Sequence, residues 1–338
     1  MTNKLSRRTA LAWAASLAGC SVQTTRTRTS WTGRQFHNQP EQSHQHTFLR
    51  ELWDNVGAET GGRLAVTVHA QNGQVPGSDP QALDMLRSGE LEFFTLMGGI
   101  LGRAVPVAEI QGLPFAFTSH AQVHVANDGP LGELIGRECE ARGIHRFRHG
   151  LLENGFRQVG MVDRPIRTAA DLVGVRMRVP DGDMFRDLFS TLGATPVTVN
   201  IRELYDALKA RRVDGQENPL VITEVNRLYE VGRYQSITNH MWSGFNLLAN
   251  LDFWRALPPD VQAIVDRNVR VVVARQREST DRLNRELVTS LAARGQVFNT
   301  ADVSTFRRVL GADFYQRWKE RLGLKAWAAL EQTTGRLG

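Results

Sequence analysis

The spacing of apolar residues changes period repeatedly along the chain. Phe48, Leu49, Leu52, Trp53 and Val56 recur at helical intervals, and the Gly61-Gly62 pair ends that helix. Leu64, Val66 and Val68 then alternate as a strand. A helix over about 80–87 stops near Gly89, and 91–96 (LEFFTL) reads as the next strand. Strand, helix, strand is the unit of a parallel sheet covered by helices.

The middle of the chain repeats the scheme. Val175–Val179 reads as a strand and Met184–Leu192 as a helix, with Gly193 as its left-handed stop. Pro196–Val199 is another strand. Asn200 caps the following helix, with Glu203 three residues on. Two separate stretches of this kind predict an α/β protein of two lobes. From 259 to 294 apolar residues keep i, i+3, i+4 spacing with no internal Gly or Pro after Pro259. Such a helix would be about 50 Å long, longer than one small lobe, so it is expected to cross both. No repeat at solenoid periods is present.

The stretch GVRMRVP (174–180) sets Val175, Met177 and Val179 on one face of its strand and Arg176 and Arg178 on the other. Open α/β sheets bind ligands at the carboxyl ends of their strands. Arg178 lies at such an end, just before Pro180. Arg157 in ENGFRQ takes a comparable place, and so do Gln216, Glu217 and Asn218 in DGQENP. A planar guanidinium meets both oxygens of a carboxylate and stays charged at any relevant pH, so this set suits an organic anion. The alternative for each arginine alone is a solvated surface ion pair.

The 338 residues are 41% hydrophobic and 22% charged, enough for about two globular domains. The net charge of +6 is spread along the chain with no dense basic block beside stacking aromatics, which argues against nucleic acid. Residues 1–19 have a basic start and then a short apolar segment, the pattern of an export signal. Ser6-Arg7-Arg8-Thr9-Ala10-Leu11 is similar to a twin-arginine signal. Leu17-Ala18-Gly19-Cys20 resembles a lipobox, in which Cys20 would carry lipid; the alternative is a plain secretory signal containing a cysteine. Cleavage there removes Lys4, Arg7 and Arg8 and no acid, leaving a charge of +3. Residues 20–34 are polar and Thr-rich, as in a flexible tether. The only other cysteine, Cys139, is expected as a buried small apolar residue. His37, His44 and His46 lack the three- or four-residue spacing of helical zinc ligands, so surface histidines are expected and no metal.

Several stretches in order resemble the solute-binding proteins of tripartite ATP-independent periplasmic (TRAP) transporters. They are GGRLAVTVHAQ, LRSGELEFFTL, IQGLPFAF, ENGFRQVG, RPIRTAADLVGVRMRVPDG, LGATPVTVNIRELYDALKARRVDGQENPL, YQSITNHMWSGFNLLAN and WRALPPDVQAIV, between about 35 and 320. The resemblance implies a type II periplasmic-binding-protein fold with a long helix spanning both lobes. Lobe I would cover 35–153, with about 242–258 returning to it, and lobe II 154–241. The long helix would span 259–294, and C-terminal helices (295–338) would pack on the lobes. It further implies that Arg178 binds the ligand carboxylate, Arg157 assists and Asn218 orients it. By position, Asn38 would meet ligand from lobe I. Met97 stands where some relatives use a carboxylate, and with Trp242 and Phe245 it points to a partly apolar or aromatic acid; packing is the alternative for both aromatics. Glu217 would meet a cation or ligand hydroxyl, or pack between lobes. The implied protein is a periplasmic monomer without cofactor that delivers a small organic acid to TRAP membrane permease subunits. The rivals are a receptor for an ATP-driven transporter or sensor, a periplasmic enzyme acting on a carboxylate, and a structural lipoprotein. Against an enzyme, G-x-S-x-G, H-E-x-x-H and phosphate-loop motifs are absent from the sequence.

Overall fold

The computed structural model describes residues 30–337, so the signal segment, Cys20 and most of the expected tether lie outside the described residues. In chain order the first part contains β1 (Trp31–Phe36), α1 (His44–Glu59), β2 (Leu64–His69), α2 (Ser78–Ser88), β3 (Phe93–Met97) and α3 (Gly98–Leu101). It continues with α4 (His120–Asp128), α5 (Pro130–Glu140) and β4 (Ile144–Phe156). The middle contains β5 (Gln158–Met161), β6 (Arg176–Val179), α6 (Asp183–Thr191), β7 (Thr195–Thr198), α7 (Ile201–Lys209), β8 (Gly215–Asn218), α8 (Leu220–Val225) and β9 (Tyr234–Ile237). The rest is β10 (Trp242–Asn250), α9 (Leu251–Ala256), α10 (Pro259–Ala293), β11 (Val297–Thr300), α11 (Val303–Leu322) and α12 (Leu324–Thr334).

Two sheets carry the fold. The first has strand order β2-β1-β3-β10-β4 and the second β11-β9-β5-β8-β6-β7. In the first, β1 runs parallel to β2 and β3, while β10 lies antiparallel between β3 and β4. In the second, β5 runs antiparallel to β8 and β9. The chain passes between sheets where β4 meets β5 at Arg157, and returns between β9 and β10. These two crossings lie side by side, with Phe156 opposite Trp242. Among the described residues, no helix is long and apolar enough to cross a membrane.

Two expected boundaries need correction. Trp31–Arg34, assigned to the tether, begin β1, because their backbone pairs in register with Leu64–Thr67. The C-terminal part, expected as helices only, includes β11, which pairs parallel to β9 at the edge of the second sheet. The histidines differ too. His37 and His46 are buried and join through their ring nitrogens at 2.8 Å; His44 bonds Ser279 and Thr280. Burial, reinforced by His46, pushes the His37 imidazole down to about 3.

α10 ties the lobes through its side chains. Val261, Val265, Val269, Val272 and Val273 enter the larger core, which covers the first sheet and continues into β5, β6 and α6, whereas Leu287 and Leu291 enter a smaller core with α7 and α8. Between these sets it meets the strand crossing. The Gln276 side chain accepts a hydrogen bond from the Glu153 backbone N–H and donates one to its carbonyl, both 2.8 Å. The Glu153 carboxylate is buried and accepts from the Trp242 indole at 2.6 Å. His120 Nδ1 and His124 Nε2 lie 2.9 and 3.0 Å from its other oxygen, and His120 Nε2 reaches Asp281 of α10 at 3.2 Å.

Burial opposes protonation of His120, but the hydrogen bond and charge of Glu153, with Asp281, raise its pKa above the ordinary value. A raised histidine stabilises the fold fully below the unfolded value near 6.5, and that contribution is lost as pH climbs through the folded value. The thermal midpoint of wild type should therefore exceed that of His120→Gln most at pH 6. The gap should narrow between pH 6.5 and 9; a gap independent of pH would refute the assignment.

Candidate functional site

A cavity of about 190 Å³ lies between the two sheets, lined from both sides. The first lobe supplies Asn38 after β1, Asp79 and Pro80 at the start of α2, Met97 at the end of β3, and Ile100. The second supplies Arg178 and Pro180 at the end of β6, Thr198–Ile201 after β7, and Asn218 at the end of β8. Asn154 and Arg157 of the first crossing, and Phe245 of β10, form its back. Strand ends therefore converge here from both sheets, where α/β topology places ligand sites.

The lobes are closed over this space. Arg202 of α7 donates to the Val75 carbonyl at 3.0 Å, Arg103 pairs with Asp181 at 2.7 Å, and Asn226 donates to Gln39 at 3.2 Å. Beside the cavity, a Cβ on Gly182 would lie 2.7 Å from the Gly99 carbonyl oxygen, so the glycine lets α3 and the start of α6 touch.

The two arginines of β6 share a face and have opposite surroundings. Arg176 is about half exposed and pairs with Asp214. Arg178 is 3% exposed. Its Nε donates to the Val199 carbonyl at 2.8 Å, and among the described residues its two terminal nitrogens have no hydrogen-bond partner and no carboxylate within ion-pair distance. Burial pulls its pKa down to about 10, against the attraction of Glu217 and Asp79. A buried cation without a bonded counter-ion is costly, and proteins seldom keep one without use.

Arg157 is buried but already satisfied. It forks onto the Glu217 carboxylate, donates to the Glu217 carbonyl at 2.6 Å, and reaches Asn218 and Ser243 at 3.1 Å each. Burial favours the neutral acid, yet Arg157 and the hydrogen bond from His240 hold Glu217 below the usual carboxylate range. Glu217, expected to meet a cation or ligand hydroxyl, is thus occupied as the partner of Arg157 and does not line the cavity. Asn218 lines it and accepts from Arg157, which fixes the orientation of its amide.

Asn38 and Met97 line the cavity, as does Phe245. Trp242 does not: its indole turns to Glu153 at the crossing, because a buried N–H needs an acceptor. Sequence reasoning missed Asp79, Gln39 and Asn154. Asp79 in PGSDPQ reads as an acid in the first turn of a helix. It is instead buried, accepts from Asn38 at 3.0 Å and Asn72 at 2.7 Å, and faces the cavity. Burial raises its pKa despite those bonds and the Arg178 and Arg202 charges. Cys139 is buried far from this chemistry in sequence, and burial pushes its thiol up to about 12. Among the described residues, no group of three or more His, Cys, Asp or Glu side chains is placed to hold a metal ion.

Two α/β lobes closed over a cavity, joined by two strand crossings and one shared helix, define a solute-binding receptor. The chain belongs to the bacterial extracellular solute-binding protein family 7, whose model it matches over residues 36–320. It is similar to the TRAP periplasmic solute-binding protein of Sulfitobacter sp. NAS-14.1 solved with bound β-D-galacturonate, at 25% identity and TM-score 0.84. That match covers 90% of this chain and all of the other. The 2,3-diketo-L-gulonate-binding periplasmic protein YiaO of Escherichia coli is 25% identical over 79% of this chain and 80% of its own. An uncharacterised Sinorhizobium fredii protein, y4mM, is 33% identical over 62% of this chain, a match spanning only 38% of that protein's length.

The two arginines should separate in mutagenesis of the unliganded protein. Arg157→Met strands a buried carboxylate and should cost about 3–5 kcal/mol in denaturant unfolding. Arg178→Met removes an uncompensated cation and should leave stability equal to wild type or higher. Equal destabilisation by both variants would contradict this reading.

Proposed function

We propose that this protein captures a hydroxylated organic acid anion outside the cytoplasm and delivers it to a TRAP membrane permease for ion-gradient-driven uptake. The observation that carries the reading is Arg178, a buried guanidinium with two free donor groups lining a closed interlobe cavity. An incoming carboxylate would supply the missing charge, each charge-assisted bond contributing about 1.5–3 kcal/mol. Asn218 would orient that carboxylate, with Arg157 assisting through the amide it holds in place. At the opposite wall, Asp79 and Asn38 suit ligand hydroxyls, so a polyhydroxylated acid fits better than a purely aromatic one; Met97 and Phe245 supply the apolar contact.

Binding needs no chemistry from the protein. Ligand that bridges the lobes stabilises the closed form by its differential affinity, and the closed surface is what a permease would recognise. The bound galacturonate of the Sulfitobacter relative and the diketogulonate named for YiaO support a sugar-acid class. We further propose export by the twin-arginine-like signal, lipid attachment at Cys20, and a monomeric receptor tethered to a membrane; mass spectrometry of the mature N-terminus decides the lipid.

A thermal-shift screen of aldonates, uronates and aromatic acids should give its largest shifts with hydroxylated acids and none with the matching neutral sugars. Calorimetry with the best acid should then show at least a hundredfold loss for Arg178→Ala. Unchanged affinity in that variant would remove the mechanism.

A further inference from the structure

We propose that the binding space has a second compartment behind Phe245 and Ile222, which receives an uncharged tail of the acid whose carboxylate Arg178 holds. The proposal rests on the assignment of Arg178 as the carboxylate site and adds the shape of the ligand. A cavity of about 230 Å³ lies on the far side of the first one, between the start of α1, α8 and α10. The two share four lining residues: Gln39, Asn154, Ile222 and Phe245. The partition is therefore one side chain thick, two apolar groups and two amides. Both amides are held by neutral hydrogen bonds only, and Gln39 is held at both ends, since it also accepts from Asn226 at 3.2 Å. Gln39 donates to Asn38 at 2.8 Å, and Asn154 donates to Ser243 at 3.1 Å. The side-chain oxygen of Asn154 accepts no hydrogen bond among the described residues and is available to a ligand passing the partition.

The character of the rear space sets the chemistry of the tail. Val221, Val225 and Leu283 give it an aliphatic floor, and Gln42, Thr47 and Gln276 a neutral polar rim. Each charged group on its wall is already matched. Glu153 is held by His120, His124 and Trp242, and Glu224 pairs with Arg294 at 3.3 Å. Burial keeps His44 toward its neutral form. A second carboxylate or an ammonium would find no partner there, whereas a neutral hydroxylated or aliphatic unit would. Size agrees: the front cavity alone is smaller than the roughly 300 Å³ at which small-molecule pockets usually begin, and the two together enter that range.

The test uses two acids with the same head, D-gluconate and lactobionate, which is gluconate carrying a neutral galactosyl unit. Titration calorimetry of the full mature chain should give lactobionate at least tenfold tighter binding, about 1.4 kcal/mol. Val225→Trp, which fills the rear space, should bring lactobionate down to the gluconate value and leave gluconate within about twofold. Leu283→Trp, on a different helix, should do the same and guards against a folding defect in the first variant. Tight gluconate with no gain for lactobionate overturns the compartment alone. So does an equal loss of both acids in both variants. Binding of neither acid, or binding unaffected by Arg178→Ala, counts against the carboxylate site as well.

Discussion

The structure depends on an imbalance of charge between two buried arginines. Both stand at the junction of the lobes, 21 residues apart in sequence, and both are almost wholly removed from water. Arg157 has its countercharge built in: Glu217 lies across the fork, and His240 steadies that acid from the other side. Arg178 has a carbonyl on one nitrogen and open space before the other two. The first pair is part of the framework. The second arginine has no bonded countercharge among the described residues, and in the proposed function an incoming carboxylate would supply it.

The proposed capture would account for the mixed character of the fold, since a one-piece sheet could bury an arginine but could not admit and release a partner. Here the second sheet hangs on two short crossings, and α10 contributes valines to the larger core and leucines to the smaller one, so one helix runs behind both lobes. The contacts across the cavity include polar ones: Arg202 on the Val75 carbonyl, Arg103 on Asp181 and Asn226 on Gln39. The exposed Arg103–Asp181 pair adds only about 0–1 kcal/mol to closure.

Much of this was legible in the sequence, for physical reasons that differ from residue to residue. The strand and helix periods gave two α/β units because each element buries one face. Arg178 stood out because Pro180 ends its strand, which puts the arginine at the edge where ligands sit. The contrast with Arg176 followed from the family resemblance and not from side-chain alternation. Side-chain alternation assigns both to one face, and only the opposing lobe, remote in sequence, covers the second and leaves the first to Asp214. The same limit hid Asp79, whose local signal is that of a helix start while its burial comes from Asn38 and Asn72. It also misled on Trp242, since the acceptor that captures its indole, Glu153, lies 89 residues away. The histidines of FHNQPEQSHQH read as surface groups because nothing local reveals that α1 brings His46 onto His37 and His44 onto α10.

The most direct measurement of the central claim is a crystal structure of the protein with the acid that shifts its thermal midpoint most. The account requires one carboxylate of that acid to lie against both terminal nitrogens of Arg178, at about 2.7–2.9 Å, with Asn218 beside it and the lobes closed. A carboxylate held elsewhere, or an Arg178 side chain turned onto Asp79 with the ligand bound, would contradict it.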